Sequence, residues 1–435
     1  MERQKISIFW FRRDFRLHDN AGLFHALSGD LPVLPLFIFD TEILEKLASK
    51  DDARVSFIYN ELQSLTAALE SYGSSLLVKH GKPLDIFKSI VSEFDVQMVF
   101  CNRDYEPSAR ERDKSIFTFL QSQSISFKGY KDQVIFDRNE VVKSDGKPYL
   151  VFTPYMRAWR KQLETSGIKQ FPSEALTEKF VKTEPFAKLT LQDLGFEPSI
   201  ISFPHRELNA KILVNYKVNR DFPAITGTSK LSLHLRFGTI SIRQLFLHTN
   251  QQSETFSNEL IWREFYMMIL YHFPSSINNS IKPKYDLIEW ENNENHFNAW
   301  CKGKTGYPLV DAGMRELNTT GYMHNRVRMV VASFLCKHLL IDWRWGEAYF
   351  AEKLLDYEQS SNVGGWQWAA GSGCDAAPYF RIFNPSAQFQ KFDREAKYVK
   401  KWVPEWGTAA YVKPIIDHDF ARKRALARYK EALTD

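Results

Sequence analysis

Residues 6–11 read ISIFWF, and residues 33–39 read VLPLFIF. Both runs are apolar almost throughout, without the polar alternation of a strand that faces water on one side. Continuous apolarity over such short runs is typical of strands buried on both faces of a parallel sheet. The same pattern returns at 76–78, 96–101 and 134–136. The sequence therefore predicts a parallel sheet at the start of the chain.

The segments between these runs carry helical periodicity. Asp51 and Asp52 can cap a helix. Its apolar stripe consists of Val55, Ile58, Leu62, Leu65 and Leu69. A second stripe consists of Leu84, Phe87, Ile90, Val91 and Phe94. Strands that alternate with helices predict a doubly wound α/β domain over residues 1–130.

The rest of the chain has a different pattern. Residues 131–195 contain scattered prolines and polar spacers, which indicate a long connector with short helical pieces. Residues 196–435 are dominated by helical stripes such as Leu260, Phe265, Met268 and Ile269, and strand alternation is missing. The predicted fold class is α/β plus all-α: an N-terminal doubly wound parallel-sheet domain, a connector and a C-terminal helical domain.

Composition excludes several classes of protein. Of the 435 residues, 44% are hydrophobic and 25% are charged, a globular balance that argues against disorder and coiled coil. The net charge of +5 permits a polyanionic partner without requiring one. The four cysteines form no CxxC pair, which favours a reducing compartment. Since no apolar run suits a signal peptide or a membrane span, we expect a soluble, cytoplasmic protein.

Two patterns for nucleotide and metal binding are weak. Residues 371–376, GSGCDA, match a GxGxxA dinucleotide pattern, but they stand late, in helical sequence, instead of after a first strand. We interpret them as a loop. His272, His324 and His338 lack metal-ligand spacing and suitable partners, so no metal site is predicted.

Two segments fit either a ligand or ordinary structure. Residues 228–232 follow Gly227, and small hydroxyls at a turn that enters a helix suit a phosphate. Taken alone, this segment is more typical of an ordinary helix N-cap. Glu259 and Trp262 share a helix face at i and i+3. They can hold a flat heterocycle by its polar edge, or they can be a half-buried indole beside an ion pair with Arg263.

Two further segments carry more distinctive residues. Asn325, Arg328 and Met329 fall on one side of a helix, where arginines near an amide suit phosphate or carboxylate partners. Without context, a solvated face with an internal ion pair is the plainer interpretation. Residues 362–368 read NVGGWQW, in which paired glycines allow close approach of backbone to a ligand and two indoles flank one glutamine.

Together these segments resemble the DNA photolyase/cryptochrome family. The resemblance runs from FWFRRDFRLHDN at 9–20 to FRIFNP at 380–385, and so covers nearly the whole chain. Between them lie GTSKLS, LRFGTIS, ELIWREFY, KTGYPLVDAGMREL, GYMHNRVRM and GGWQW. The resemblance implies an α/β domain followed by a helical domain that binds FAD.

The resemblance also implies which residues bind FAD. Arg328 and Asp356 look like the pair beside the isoalloxazine ring, and Asn362 looks like the residue that faces flavin N5. Glu358 takes a position that relatives often fill with Asp. The implied contacts of the diphosphate and ribityl groups are Tyr216, Thr228, Ser229, Lys230, Leu231 and Ser232.

Within the family, the chain most resembles the class I photolyases that act on cyclobutane pyrimidine dimers. Trp262 and Trp368 match the indole walls of the dimer pocket, Glu259 and Asn325 match its polar edge, and Met329 matches its apolar lining. Relatives that repair (6-4) photoproducts have histidines at the positions of Asn325 and Met329. The implied reaction is light-driven repair, in which excited reduced FAD transfers an electron to a flipped-out dimer.

Other roles implied by the resemblance are DNA contacts, an electron relay and an antenna. The implied DNA contacts are Arg220, Arg263, Arg326 and Arg381. The implied relay consists of Trp290, Trp343 and Trp366. Glu106 matches a contact of folate-binding relatives, but folate, a deazaflavin, another flavin and no antenna all stay open. The expected partner is damaged DNA, bound by a monomer, with no metal and no membrane.

Three other functions compete with this one. A cryptochrome-type blue-light sensor would keep the fold and FAD but lack repair, and the intact Trp262–Trp368 pair argues against it. An adenine-nucleotide-binding protein built on the α/β domain alone would need phosphate-loop glycines that are missing there. A DNA-binding module without catalysis would bind damage and leave it unrepaired in the light.

Overall fold

The N-terminal part of the protein contains one parallel sheet. The structure is a computed structural model that describes residues 3–434. The strands are β1 Lys5–Phe11, β2 Val33–Asp40, β3 Leu77–Gly81, β4 Asp95–Asn102 and β5 Ser126–Tyr130. Their order in the sheet is β3-β2-β1-β4-β5, and every pair is parallel. This order confirms the predicted doubly wound arrangement.

The apolar runs predict four of the five strands, and the fifth prediction is wrong. Residues 134–136 are buried in irregular backbone. The strand β5 comes earlier and reads SFKGY, with no fully buried residue. Apolarity reports burial, and it does not distinguish a buried loop from a buried strand.

The remaining elements are mostly helical. The helices are α1 Ala21–Leu27, α2 Thr41–Leu44, α3 Ala53–Ser71, α4 Pro83–Glu93, α5 Pro107–Ser122, α6 Phe152–Ser166, α7 Ala210–Asn219, α8 Ser232–Arg236, α9 Ile242–Asn250, α10 Glu254–His272, α11 Glu294–Cys301, α12 Pro308–Thr320, α13 Asn325–Ser333, α14 Trp343–Lys353, α15 Gln359–Ala370, α16 Pro385–Phe392, α17 Lys397–Trp402 and α18 His418–Thr434. Shorter turns are the 3₁₀ segments Ser173–Lys179, Pro274–Ile277 and Pro283–Leu287 and the π-helical turn Phe334–His338. As predicted, Asp52 caps α3, where its carboxylate accepts from the Arg54 N–H at 2.9 Å.

The chain forms two compact units, and their boundaries differ from the predicted division at 130 and 195. The first unit runs to Val141 and adds Ala158–Arg206 and Leu231–Gln251. The second unit consists of Val142–Arg157, Glu207–Lys230 and the chain from Gln252 onward. Much of the predicted connector therefore belongs to the first unit, as does a part of the predicted helical domain.

Long-range contacts explain this assignment. The N–H of Val181 donates to the carbonyl of Val33 in β2 at 2.9 Å. Arg243 of α9 forms buried ion pairs with Asp19, at 3.0 Å, and with Asp132, at 2.8 Å. Since these partners are far apart in sequence, composition and periodicity do not reveal them.

The helix α15 is central to the packing of the second unit. It contacts α10, α13 and α14. Glycines make two of these contacts close: a Cβ on Gly346 of α14 would lie 2.1 Å from Trp366, and a Cβ on Gly364 would lie 2.2 Å from Tyr266 of α10. These crossings fix α15, which carries several predicted site residues.

Candidate active site

The five predicted pocket residues lie on three helices of the second unit. Glu259 and Trp262 are on α10, Asn325 and Met329 are on α13, and Trp368 is on α15. Because α15 packs against α10 and α13, the structure brings these helices together. Asn325 is exposed and the other four side chains are half-buried, so each is partly accessible.

The carboxyl group of Glu259 is paired with Arg220. The guanidinium of Arg220, at the C-terminal end of α7, donates directly to Glu259 Oε1. Burial raises the pKa of Glu259, and the positive charge of Arg220 opposes that rise. The guanidinium of Arg220 also lies 5.5 Å from the ring of Tyr216, a predicted cofactor residue. Three predicted residues from two helices therefore meet here.

The two indoles of the predicted pocket have different neighbours. Trp262 stacks on Phe152, with ring centroids 3.8 Å apart and an interplanar angle of 8°. Phe152 was not among the predicted residues, and it covers one face of the indole. Trp368 has the ring of Phe383 at 6.4 Å in a tilted arrangement.

Arg263 and Glu358 are each other's partner. The guanidinium Nε lies 3.0 Å from Glu358 Oε2, and both side chains are almost fully buried. Glu358 precedes the first turn of α15, so the pair ties α10 to the start of α15. The resemblance implies that Arg263 contacts DNA and that Glu358 contacts the cofactor. Their ion pair therefore joins a predicted DNA contact to a predicted cofactor contact.

Two predicted DNA contacts lie at the edge of this region. Arg326 pairs with Asp221 at 2.9 Å, and its guanidinium lies 4.5 Å from the ring centroid of Phe392. Its Nη1 is 3.7 Å from the sulfur of Met329. Arg381 is exposed in the loop between α15 and α16.

The predicted isoalloxazine pair is present as a direct ion pair. Arg328 Nη2 donates to both carboxylate oxygens of Asp356, at 2.9 and 3.1 Å, and its Nε donates to the Met323 carbonyl at 2.7 Å. Burial and Asp356 have opposite effects on the guanidinium, and the net result raises the pKa of Arg328. A permanent positive charge is therefore held in place by a backbone carbonyl and a carboxylate.

Tyr322 connects this pair to the predicted phosphate segment, and sequence reasoning missed it. Its ring lies 5.0 Å from the ammonium of Lys230 and 5.6 Å from the guanidinium of Arg328. Its hydroxyl is 3.4 Å from Thr228 Oγ1. Lys230 has a φ of +56°, a left-handed conformation that fits a tight turn. The next two predicted residues, Leu231 and Ser232, belong to the first unit, where Leu231 is buried and Ser232 begins α8.

The amide of Asn362 is oriented by Glu347. Asn362 Nδ2 donates to Glu347 Oε1 at 2.9 Å and to the Glu347 carbonyl at 3.1 Å. The amide oxygen of Asn362 is therefore the group left to accept a hydrogen bond. Burial raises the pKa of Glu347, whereas its contacts with Asn362 and Tyr357 lower it. Sequence spacing gives no signal for Glu347, because it lies on a different helix, α14.

These groups suit a flavin nucleotide. An amide oxygen is a partner for an N–H donor such as N5 of a reduced flavin. Arg328 and Lys230 supply positive charge near the Tyr322 ring, and Thr228 supplies a hydroxyl at a turn, a combination that favours phosphate. Next to Asn362 on α15, Gly365 has no atom within 4 Å of where its Cβ would be, which leaves open space there.

The three predicted relay indoles belong to or pack against one apolar cluster of the second unit. Trp366 is buried, with Phe350 at 5.0 Å and Trp300 at 6.1 Å between ring centroids. Trp343 is buried, and Trp290 is half-buried beside Tyr429 at 6.1 Å. Trp300, which sequence reasoning missed, is the indole in direct ring contact with Trp366.

Glu106, the predicted antenna residue, lies in the first unit. It precedes α5, and its Oε1 accepts from Arg13 at 2.7 Å and from Arg236 at 2.6 Å. The loops after β1 and β4 carry Arg13 and Glu106, and a doubly wound sheet binds ligands at such a switch point.

Two negative findings apply to residues 3–434. In this part of the chain, no three His, Cys, Asp or Glu side chains cluster as metal ligands would. No helix there has both the length and the apolarity to cross a membrane.

Comparisons with known proteins agree with the fold and with a flavin cofactor. The family model of DNA photolyase matches residues 7–175, and the model of the FAD binding domain of DNA photolyase matches residues 256–409. The deoxyribodipyrimidine photo-lyase of Escherichia coli is 37% identical, over 98% of each chain. A bacterial class III photolyase from Agrobacterium tumefaciens superposes with a TM-score of 0.88 at 32% identity, over 100% of this chain and 99% of that one. An archaeal photolyase from Sulfolobus tokodaii, whose structure contains two FAD molecules, has a TM-score of 0.81 at 34% identity, over 98% and 100%.

A parallel-sheet unit combined with a helical unit that carries a flavin site defines a class of FAD-dependent protein. Within that class, the chain belongs to the DNA photolyase/cryptochrome family. Curated relatives named deoxyribodipyrimidine photo-lyase are 32–37% identical over nearly the whole chain, and they confirm the prediction of an enzyme of this kind. The prediction of FAD as the cofactor is also confirmed. One of the similar solved structures is described as a class III photolyase, so the resemblance to class I stays a prediction.

Proposed function

We propose that this photolyase repairs cyclobutane pyrimidine dimers in DNA under blue light, as a monomer in the cytoplasm. The observation that carries the proposal is the pocket set on α10, α13 and α15. It combines two accessible indoles, Trp262 and Trp368, with the Glu259–Arg220 pair. Asn325 and Met329 occupy the positions at which (6-4) repair would need histidines.

The pocket residues suit a damaged base pair that has left the helix. A crosslinked dimer stacks poorly, so flipping it out costs less than flipping a normal pair. Between the two indoles, stacking is worth about 1–3 kcal/mol per base. Phe152 holds the ring of Trp262 by stacking on its other face, so this wall does not need to be ordered on binding.

Glu259 and Asn325 bind the carbonyl edge of the dimer in this proposal. Because burial raises the pKa of Glu259, its carboxyl group retains a proton more readily than an exposed one and can donate to a carbonyl. Arg220 beside it stabilises negative charge that develops on the dimer. This chemistry needs position and charge, and no nucleophile.

The cofactor residues keep the roles that the resemblance implies. We propose that Arg328, Asp356 and Asn362 contact the flavin ring. The remaining proposed contacts are Tyr216, Thr228, Ser229, Lys230, Leu231, Ser232 and Glu358. When bound, reduced and excited by light, FAD supplies the electron that splits the dimer.

The DNA contacts, the relay and the antenna are further parts of the proposal. Arg220, Arg263, Arg326 and Arg381 contact the DNA phosphates and the pocket rim. Trp366, Trp343 and Trp290 return electrons to oxidised flavin. A second pigment near Glu106 is tested by the absorption spectrum of the purified protein, in which a pigment other than FAD would add its own band.

The deciding experiment follows cyclobutane thymine dimers in duplex DNA with the reduced protein, under blue light and in darkness. We expect dimers to disappear only in the light. If the protein contains FAD and no dimers are lost, the function is that of a sensor or the lesion is a different one. Tight binding to damage without any loss would instead identify a binding module.

A further inference from the structure

Lys337 is a buried cation to which the proposed reaction assigns no role. Its side chain is 1% exposed. It lies in the π-helical turn Phe334–His338, directly after α13. A π turn contains an extra residue, which changes the direction of the side chains that follow, and such turns are frequent at functional sites. Burial lowers the pKa of Lys337 to about 8.

The ammonium of Lys337 donates to the backbone carbonyl of Arg381 at 3.2 Å. Arg381 lies in the loop 371–384, and its own side chain is exposed. Within residues 3–434, this is the one hydrogen bond that ties residues 378–383 to another part of the chain. The other hydrogen bonds of residues 378–383 are local, such as Arg381 N–H to the Pro378 carbonyl at 2.8 Å.

Apolar contacts hold Tyr379 and Ile382, whereas the tip of the loop between them, Phe380 and Arg381, is exposed. Tyr379 stacks on Tyr429 of α18 at 5.9 Å, and Ile382 packs against the same cluster. Between them, Phe380 is 61% exposed. The Lys337 ammonium is therefore the polar group from outside the loop that holds the Arg381 carbonyl.

A buried ammonium costs free energy unless it is compensated, and a single carbonyl compensates it incompletely. Lys337 and the guanidinium of Arg381 also repel each other, since the charge of Arg381 lowers the pKa of Lys337. A phosphate bound by Arg381 would relieve both effects. The arrangement therefore favours an anion at the tip of the loop.

We propose that Lys337 is a positioning residue for DNA binding, which holds the backbone of Arg381 so that its side chain meets a DNA phosphate. This inference rests on the proposed function, because Arg381 is a DNA contact only if the protein binds damaged DNA. Lys337 itself touches neither DNA nor flavin.

The test measures the affinity for a dimer-containing duplex in darkness. The change Lys337→Met should weaken binding about tenfold, the size expected for one charge-assisted hydrogen bond. The flavin content and the rate of photoreduction should not change, since Lys337 acts on the loop alone. Lys353→Met is the matched control, because it removes the same charge from a half-buried lysine of the second unit that pairs with Glu352, and it should bind like the wild type.

A double-mutant cycle separates positioning from general destabilisation. In an Arg381→Ala background, Lys337→Met should have little further effect. An equal loss in both backgrounds, or no loss in the wild-type background, would overturn the inference. Lys337→Gln keeps an N–H donor and should restore most of the affinity. If Lys337→Met does not fold, Lys337→Gln is measured in the wild-type and Arg381→Ala backgrounds instead. We then expect a smaller loss of DNA affinity in the wild-type background and none in the Arg381→Ala background.

The two proposals fail in different ways. A wild-type protein that does not distinguish dimer-containing DNA from undamaged DNA contradicts the proposed function. A wild type that binds damage tightly, together with a Lys337→Met variant that binds equally well, contradicts only the role of Lys337.

Discussion

At the scale of single residues, the role of Glu259 can be tested with a substitution that changes its charge and acidity but keeps its size. We expect Glu259→Gln to bind dimer DNA with nearly wild-type affinity and to repair it with a yield per photon lower by roughly tenfold. The amide keeps the size of the side chain but cannot provide the acidic proton or the pairing with Arg220. The measurement is repair yield per absorbed photon at saturating DNA. An unchanged yield would remove Glu259 from the reaction.

Trp366 permits a similar test. Trp366→Phe should abolish photoreduction of oxidised flavin, because phenylalanine is far harder to oxidise than tryptophan, while chemically reduced enzyme should still repair. Light-driven recovery of reduced flavin is followed by absorbance. Trp300→Phe is the informative companion, since Trp300 is in ring contact with Trp366. Normal photoreduction in Trp366→Phe would contradict the proposed route.

Sequence motifs predict residues whose own side chains would contact a ligand. The Arg328–Asp356 pair, which the resemblance implies, is present in the structure as an ion pair. Other residues contact the predicted site residues instead: Tyr322 lies beside Lys230 and Arg328, Glu347 accepts from Asn362, and Phe152 stacks on Trp262. Their importance depends on contacts between distant segments, so no spacing rule could have revealed them.

At the scale of elements, the close helix crossings make a prediction about stability. Gly364→Ala places a methyl group 2.2 Å from the Tyr266 ring, and so α10 and α15 must separate. We expect a loss of about 1–3 kcal/mol in the free energy of unfolding. Urea unfolding followed by tryptophan fluorescence measures it.

The neighbouring residue on the same helix supplies the control. Gly365→Ala meets no atom within 4 Å and should stabilise α15 by up to about 1 kcal/mol. Equal stability changes in the two variants would show that the crossing is not tight.

We expect a histidine in the π-helical turn to make the protein less stable in acid. His338 is fully buried, its Nε2 lies 2.9 Å from His418 Nδ1, and burial lowers its pKa to about 3. Between that value and the ordinary pKa of about 6.5, the unfolded chain binds a proton that the folded chain does not, so stability falls as the pH falls. At pH 5 the loss from His338 is about 2 kcal/mol.

His338→Gln tests this source of acid sensitivity. The variant should show a smaller difference in unfolding free energy between pH 7 and pH 5. Some difference should persist, since burial also lowers the pKa of His324 to about 4. An unchanged difference would mean that His338 does not contribute.

At the scale of the whole molecule, DNA affinity should depend on salt through a few arginines. Each arginine that contacts a phosphate adds about −0.9 to the slope of log affinity against log salt, so the four arginines together set a limit of about −3.6. Arg326→Gln should reduce the magnitude of this slope by about 0.9, whereas Lys353→Met, which removes a charge paired with Glu352, should not change it. The measurement is the dissociation constant at several salt concentrations. A slope near zero would exclude these arginines as phosphate contacts.

The sequence predicts the kind of fold well and the division of the chain poorly. Four of five strands and the helical character of the later chain follow from periodicity, because periodicity reflects local burial. The segment 231–251 belongs to the first unit through the pairing of Arg243 with Asp19 and Asp132, which no local pattern shows.

The interleaved boundaries have a consequence for biosynthesis. The first unit draws its last segment from Leu231–Gln251, after a stretch that belongs to the second unit. A ribosome must therefore deliver more than half of the polypeptide before the first unit has all its parts. During translation, the five strands are complete at Tyr130 but lack the segments Ala158–Arg206 and Leu231–Gln251 that finish the unit. Neither unit can be excised as a continuous fragment for expression by itself.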